Sequence, residues 1–279
     1  MTEEFPTAVE EVKVSSVLDL PERNIENRAG LEQDLLAILA EKDFPTDTVN
    51  VFKNTILAKL KFVSSETGPS FFRNLQIFGE GQEGESVIIL SDRTIKSRAA
   101  RLEGLVPADM QESIAQLWLA AHELGHGLEA AYGIANKVQF TEGFMKGLYD
   151  YPNPADKYVA EFPEDSWSKN VQDAQRIERE RRAEGIAQEL LTAQLLRMGL
   201  DNHTIINILH KAYEPNRLRA AKLAPLMEQT NEETALRDTY DGRLGDSDTP
   251  DIDANLAIHE FGYANPMPID EIARRYQVL

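Results

Sequence analysis

Residues 122–126 of this 279-residue chain are His-Glu-Leu-Gly-His, so two histidines stand four positions apart. On a helix that spacing projects both imidazoles from one face, where they can share a single metal ion. Glu123 follows the first histidine, and its carboxylate can reach a metal-bound water without itself ligating the metal. Zinc suits imidazole donors and lowers the pKa of its water to about 7; a nearby carboxylate can then take the proton as hydroxide attacks a carbonyl. Leu124 should pack inward, while Gly125 lets a backbone or a ligand approach closely. The plainer alternative is a pair of surface histidines on an ordinary helix.

Catalytic zinc commonly has three protein ligands plus water, so one donor must come from elsewhere. With no cysteine in the chain, thiolate ligands, disulfides and cysteine nucleophiles are excluded. A second long helix, expected over about 171–200, offers carboxylates. Ile177, Glu180, Glu184, Ala187, Leu191 and Leu195 recur every three or four residues along it. Glu180 and Glu184 therefore lie on an otherwise apolar stripe, whereas Glu178, Arg181, Arg182 and Glu189 fall toward the solvated side. Buried carboxylates are costly unless paired, hydrogen-bonded or bound to metal, and pairing with an arginine is the structural alternative here.

These two helices carry a resemblance. His122-Glu123-Leu124-Gly125-His126 resembles the metal helix of the zincin metallopeptidases. Glu129 and Tyr132 stand where the metzincin pattern has glycine and histidine, which excludes that branch. Glu180-Arg181-Arg182-Ala183-Glu184 resembles the Glu-x-x-Ala-Glu helix of the lethal-factor-like gluzincins. The resemblance implies that Glu180 is the third zinc ligand and that Glu184 supports the site behind it, orienting a ligating histidine. It covers the two helices and their order, not the whole chain. That family places a transition-state tyrosine seven residues before the ligand, where this chain has Asp173. Tyr149, Tyr151 and Tyr158 are the candidates for stabilising an oxyanion in its stead. Immunity-repressor peptidases use a similar histidine helix, but their short spacer and Asn-containing second helix fit this chain less well.

The surrounding pattern is that of a mainly helical α+β protein. Polar residues broken by Pro6 and Pro21 suggest a mobile arm over 1–28. A helix is expected over 29–42 from Leu31, Leu35, Ile38 and Leu39, ended by Phe44-Pro45. Thr46 or Asp47 can cap a second, with Val49, Phe52, Ile56, Leu57 and Leu60 inward. Strand-like runs at 71–78 and 86–90 flank a glycine-rich connection suited to a hairpin. The metal helix should start near Asp109 and stop at Gly133, with 133–170 as an irregular lid or binding loop. Further helices are expected from His203, over 216–227 and from Ile269, around an acidic turn-rich stretch at 241–253. The expected organisation is a zincin-like domain over 29–200 carrying a helical C-terminal extension, 201–279, packed on it.

Composition narrows the function. A net charge of −18 argues against nucleic acid and against a DNA-binding regulator, because phosphate contacts need clustered Lys and Arg. No apolar run approaches the roughly 18 residues needed to span a membrane. The acidic start, Met1-Thr2-Glu3-Glu4-Phe5, is unlike a secretion signal, so a cytoplasmic location is expected. The expected activity is zinc-dependent peptide-bond hydrolysis of endopeptidase type, with one Zn2+ per chain and a peptide or protein as substrate. Zincins bind peptides along an edge strand, so Ile88, Ile89 and Leu90 are the expected contacts. The alternative is a non-catalytic zincin-fold module that binds a protein partner. His259-Glu260-Phe261-Gly262-Tyr263 echoes the metal helix with tyrosine replacing the second histidine, and a partly buried histidine or a turn is its ordinary explanation. Asp246, Asp248, Asp251 and Asp253 lack EF-hand spacing and suit a solvated loop better than a calcium site.

Overall fold

A computed structural model describes residues 20–42, 44–66, 70–74, 85–135, 183–213 and 267–277. Among them are seven α-helices and one three-stranded mixed sheet, an α+β arrangement.

Helix α1, Arg28–Glu41, buries Leu31, Leu35, Ile38 and Leu39, the stripe its periodicity implies. Asn27 sets its start in the left-handed region (φ 53°), which asparagine tolerates better than most residues. Helix α2, Thr46–Val51, starts after Pro45 with no side-chain cap, so neither Thr46 nor Asp47 caps it as expected. Its chain then loosens through a π turn, Phe52–Ile56, and tightens into a 3-10 turn, Leu57–Lys59. Strand β1, Leu60–Ser65, follows without a break.

Strands β2, Phe71–Asn74, and β3, Ser86–Ser91, pair antiparallel as the hairpin pattern implies, with Phe72 opposite Ile88. β3 also pairs parallel with β1, Phe62 opposite Ile88, which makes it the central strand. All six of its residues are buried, as expected for a continuous apolar run covered on both faces. The expectation that Ile88, Ile89 and Leu90 lie on a free edge is therefore wrong, because their backbone groups already serve two neighbours. Within the sheet it is β2 that flanks β3 on the side away from β1.

The far side of β1 is covered by the segment that precedes α1. The Arg23 amide donates to the Phe62 carbonyl at 2.8 Å, the Ser64 amide donates to the Pro21 carbonyl at 2.9 Å, and Ile25 enters the core. Residues 20–27, expected as the end of a mobile arm, are thus docked on the sheet; 1–19 lie outside the described residues.

Helix α3, Asp92–Arg101, springs directly from β3, with the Ser91 hydroxyl accepting the Thr94 amide at its N-terminus. Helix α4, Ala108–Ala135, carries the two histidines. It starts just after Pro107 and runs past Gly133, two residues beyond the expected stop. From Ile114 to Leu128 nearly every residue is buried, so this is a central helix packed on all sides rather than an amphipathic surface one.

The described part of the second long helix, α5, spans 183–197 and ends with the Gly199 and Leu200 amides turned back onto the Leu196 and Leu195 carbonyls. Gly199, at φ 75°, supplies the left-handed residue that this ending requires. Helix α6, 202–213, begins after Asp201, whose carboxylate accepts the Thr204 amide at 3.0 Å. Helix α7, Ile269–Arg275, starts where the sequence suggests. One apolar core runs from Ile25 and α1 through α4 and α5 to Ile272 of α7. The described C-terminal residues therefore belong to the same core as the site helices.

Glu189 corrects the helical wheel. Expected on a solvated face, it is fully buried, because the end of α1 and α7 cover that side of α5. Its carboxylate meets Lys42 at 2.5 Å and Arg275 at 3.4 Å, and it accepts the Tyr276 hydroxyl at 3.3 Å. Removing one member of a buried ion pair typically costs about 3 kcal/mol or more. Glu189→Ala should lose about that much stability in a urea titration; a change within about 0.5 kcal/mol, the range of ordinary surface substitutions, would show that the cluster does not hold α7 in place.

Candidate functional site

Four successive features of α4 build the site. His122 and His126 lie one turn apart, their rings in edge-to-face contact with centroids 4.9 Å apart. Their convergence is what the spacing implies, and it leaves two imidazoles on one side of the helix. His122 and Glu123 are buried, at 7% and 4% exposure, while His126 is half-buried. Leu124, fully buried, faces the core.

Gly125 shows why the second helix is there. A methyl group built on it would fall 2.7 Å from both the Cα and the carbonyl oxygen of Ala183. α4 and α5 therefore touch backbone to backbone at this point, and only a residue without a side chain allows it. Glu184, the residue after Ala183, follows directly on this contact and is 7% exposed. Half a turn along α4, Gly127 faces the rings of Phe72 from β2 and Phe52 from the π turn. The sheet thus braces the same stretch of α4 from another side.

A cationic and aromatic layer lies behind the carboxylates. The Arg98 guanidinium of α3 sits over the Trp118 ring, 4.3 Å from its centroid, and Tyr213 of α6 tilts against that ring at 5.9 Å. Burial lowers the Arg98 pKa from its usual value, opposed by Tyr213, Glu123 and Glu184 in that order. Burial, then the nearby Glu184, pushes the Tyr213 hydroxyl well above the ordinary phenol range, with Arg98 opposing. Tyr213 is therefore a neutral hydroxyl at physiological pH. The Arg98 NH1 group and the Tyr213 hydroxyl are both buried without a hydrogen-bond partner among the described residues.

Of the residues expected to act, His122, Glu123 and His126 share one buried stretch of α4, and Glu184 follows the Ala183 that touches Gly125. Glu180, Tyr149, Tyr151, Tyr158 and Asp173 lie outside the described residues, as do His259, Glu260 and the acidic run from Asp246 to Asp253. Among the described residues no group of three or more His, Asp or Glu side chains is arranged to hold a metal ion. The donors present are the two imidazoles, a type that suits zinc but that needs a further ligand to complete a site. Compared with known proteins, the chain matches no family profile, no curated protein and no solved structure.

Two residues at the site had no part in the sequence reading. Arg98 escaped because α3 is polar, with Ile95 its one fully buried residue, and so lacks a periodic apolar signal. Tyr213 looked like any apolar position at the end of a stripe with Ile205, Leu209 and Ala212. A buried arginine followed by a downstream tryptophan carries no spacing rule that would reveal it.

The helix crossing makes a quantitative contrast between two glycines. Gly125→Ala drives a methyl into rigid backbone and should cost about 3 kcal/mol, the upper range for overpacking. Gly127→Ala meets side-chain rings rather than backbone, the Phe72 edge at 3.1 Å and Phe52 at 3.4 Å, and replacing a mid-helix glycine recovers about 1 kcal/mol of helix propensity. Its net effect should be near zero. Denaturant midpoints of the two variants would test this, and equal midpoints would show that the Gly125–Ala183 approach is not tight.

Proposed function

We propose that this protein is a cytoplasmic zinc metallopeptidase, of gluzincin type and acting as an endopeptidase, with His122, His126 and Glu180 as metal ligands. The observation that carries the proposal is the burial of Glu123 at 4% exposure, directly beside two imidazoles that converge on one face of α4. A carboxylate buried there costs stability unless it is paired, hydrogen-bonded or bound to a metal, so a neutral residue would serve a purely structural position better. In agreement with a cytoplasmic setting, no helix among the described residues is long and apolar enough to cross a membrane.

Zinc bound there would polarise the scissile carbonyl and lower the pKa of a water to about 7. Glu123 takes a proton from the attacking water and delivers it to the departing amine, the general base and then general acid of one hydrolysis. His122 and His126 need their metal-facing nitrogens unprotonated, and a carboxylate on the opposite ring nitrogen fixes that tautomer. Glu184 is the residue we assign to that task, supported by its burial and by its place next to Ala183 at the helix crossing. Trp118 and Leu124 keep the core side of α4 dry, which strengthens every charge interaction at the site.

Metal content tests the ligand set. Purified protein should hold about one zinc per chain, and Glu180→Ala should release it. Glu184→Ala should weaken zinc binding by about 10–100-fold without abolishing it. Loss of metal in Glu184→Ala and retention in Glu180→Ala would exchange the two assignments, and absence of zinc after reconstitution at neutral pH would remove the ligand set altogether.

Glu123→Gln separates an enzyme from a binding module. The amide is close in size but cannot accept a proton, so fold and zinc content should stay near wild type. Cleavage of a mixed peptide library should fall by at least about 100-fold. Equal cleavage by the wild type and a metal-replete variant would place the activity elsewhere.

A further inference from the structure

Arg98 poses a physical problem that the proposed chemistry does not solve. A guanidinium cannot shed its proton in a protein, so enclosing it requires a nearby negative charge. The residue is half-buried, but its NH1 group is enclosed and makes no hydrogen bond among the described residues. Stacking at 4.3 Å on Trp118 fixes the plane of the group, and cation–π attraction suits a partly desolvated cation. Trp118 precedes His122 by one helical turn, so the stacked guanidinium is carried on the same helix as the histidine pair.

The groups whose charge acts on Arg98 come from four elements, its own helix included. Tyr213 of α6 is neutral, for the reasons given above, and Arg101 of α3 is itself a cation that repels Arg98. The negative charges that remain are Glu123 of α4 and Glu184 of α5. Both are buried, and the Gly125–Ala183 crossing holds their two helices in backbone contact. Two buried carboxylates that act on one enclosed guanidinium are each costly to hold as charges unless a cation accompanies them.

We propose that Arg98 is a positioning residue whose guanidinium, held flat on Trp118, is the common counter-charge that keeps the Glu123 and Glu184 carboxylates buried. It touches neither substrate nor metal; it acts through the two carboxylates. Its catalytic consequence rests on the peptidase reading, but its electrostatic role does not.

A double-mutant cycle on the full chain, read by denaturant unfolding with metal removed by chelator, measures that role without any activity. Arg98→Met keeps the stacking volume and deletes the charge. In the wild-type background it should lower the folding equilibrium constant by about 10-fold or more. In the Glu184→Gln and Glu123→Gln backgrounds the loss should shrink to about threefold or less, because the charge being compensated is gone. Arg98→Lys, which restores the charge, should recover most of the loss. Equal losses in all three backgrounds, or no advantage of Lys over Met, would reduce Arg98 to packing and overturn the proposal. If Arg98→Met alone does not fold, recovery of folded protein on adding Glu184→Gln is the supporting result and its absence the overturning one.

In the zinc-loaded protein, Arg98→Met should lower kcat about 10-fold with KM nearly unchanged, the mark of an interaction felt in the transition state. Arg98→Lys should restore it, a rescue that a packing role would not produce. Absence of hydrolysis by the wild type would count against the peptidase reading alone, since the unfolding cycle reports on Arg98 regardless.

Discussion

The backbone contact between Gly125 and Ala183 is the constraint on which the rest of the arrangement depends. Two helices at ordinary separation pack 8–10 Å apart through interleaved side chains. Here a methyl group on one would lie 2.7 Å from backbone atoms of the other, so nothing larger than glycine fits. That closeness lets short, direct side chains from both helices meet. It brings α5 against α4 at the residue that precedes Glu184. It also explains why α4 must be braced elsewhere: β2 supplies Phe72 against Gly127, and α3 supplies Arg98 against Trp118. Each brace limits rotation of α4 about its axis, and such a rotation would turn the histidines away from α5.

Helix α5 shows how one element serves two charged sites. Glu184 and Glu189 are five residues apart, hence about 140° apart around a helix, and point to different faces. The first faces the histidine helix and the Arg98 layer. The second closes on Lys42, Arg275 and Tyr276, tying α1 and α7 to the opposite side. Both carboxylates are enclosed; Glu189 meets Lys42 and Arg275, and Glu184 lies within the field of Arg98. The helix is consequently pinned front and back within about a turn and a half, next to the point where it touches Gly125.

This geometry also explains which features were legible in the sequence. The periodic elements were: α1 from its leucines, α4 from the stripe that includes Leu117 and Leu124, and the pairing of β2 with β3. His122, Glu123 and His126 declared themselves by spacing, and Gly125 by sitting where a close approach was needed. Hidden features had no period to show. β1 follows the 3-10 turn without a break, so Leu60 looked like the last residue of a helix stripe. α3 is too polar to betray itself. Glu189 was assigned to the correct face of α5, opposite Glu184, but one helix alone cannot tell that α1 and α7 would cover that face. The strand order failed for a related reason. An apolar run such as Val87-Ile88-Ile89-Leu90 signals burial, and burial on both faces belongs to a central strand more readily than to an edge.

With no family to lend support, the weight falls on whether the five residues from His122 to His126 need their identities. Two of them answer to packing alone: Leu124 fills the core and Gly125 admits Ala183. The other three have no such excuse. Histidine is a poor choice for a buried helix face, and an enclosed glutamate beside it is poorer still, since leucine or alanine at these positions would stabilise the helix and the core alike. The cost of burying Glu123 is met by a cation, Arg98, drawn from another helix and held by a tryptophan, an arrangement with several parts that must all be in place. A fold seeking only stability would replace such a cluster with apolar side chains, often at no loss. Among the described residues it stands where two imidazoles converge, which is what the proposed role of Glu123 in proton transfer requires.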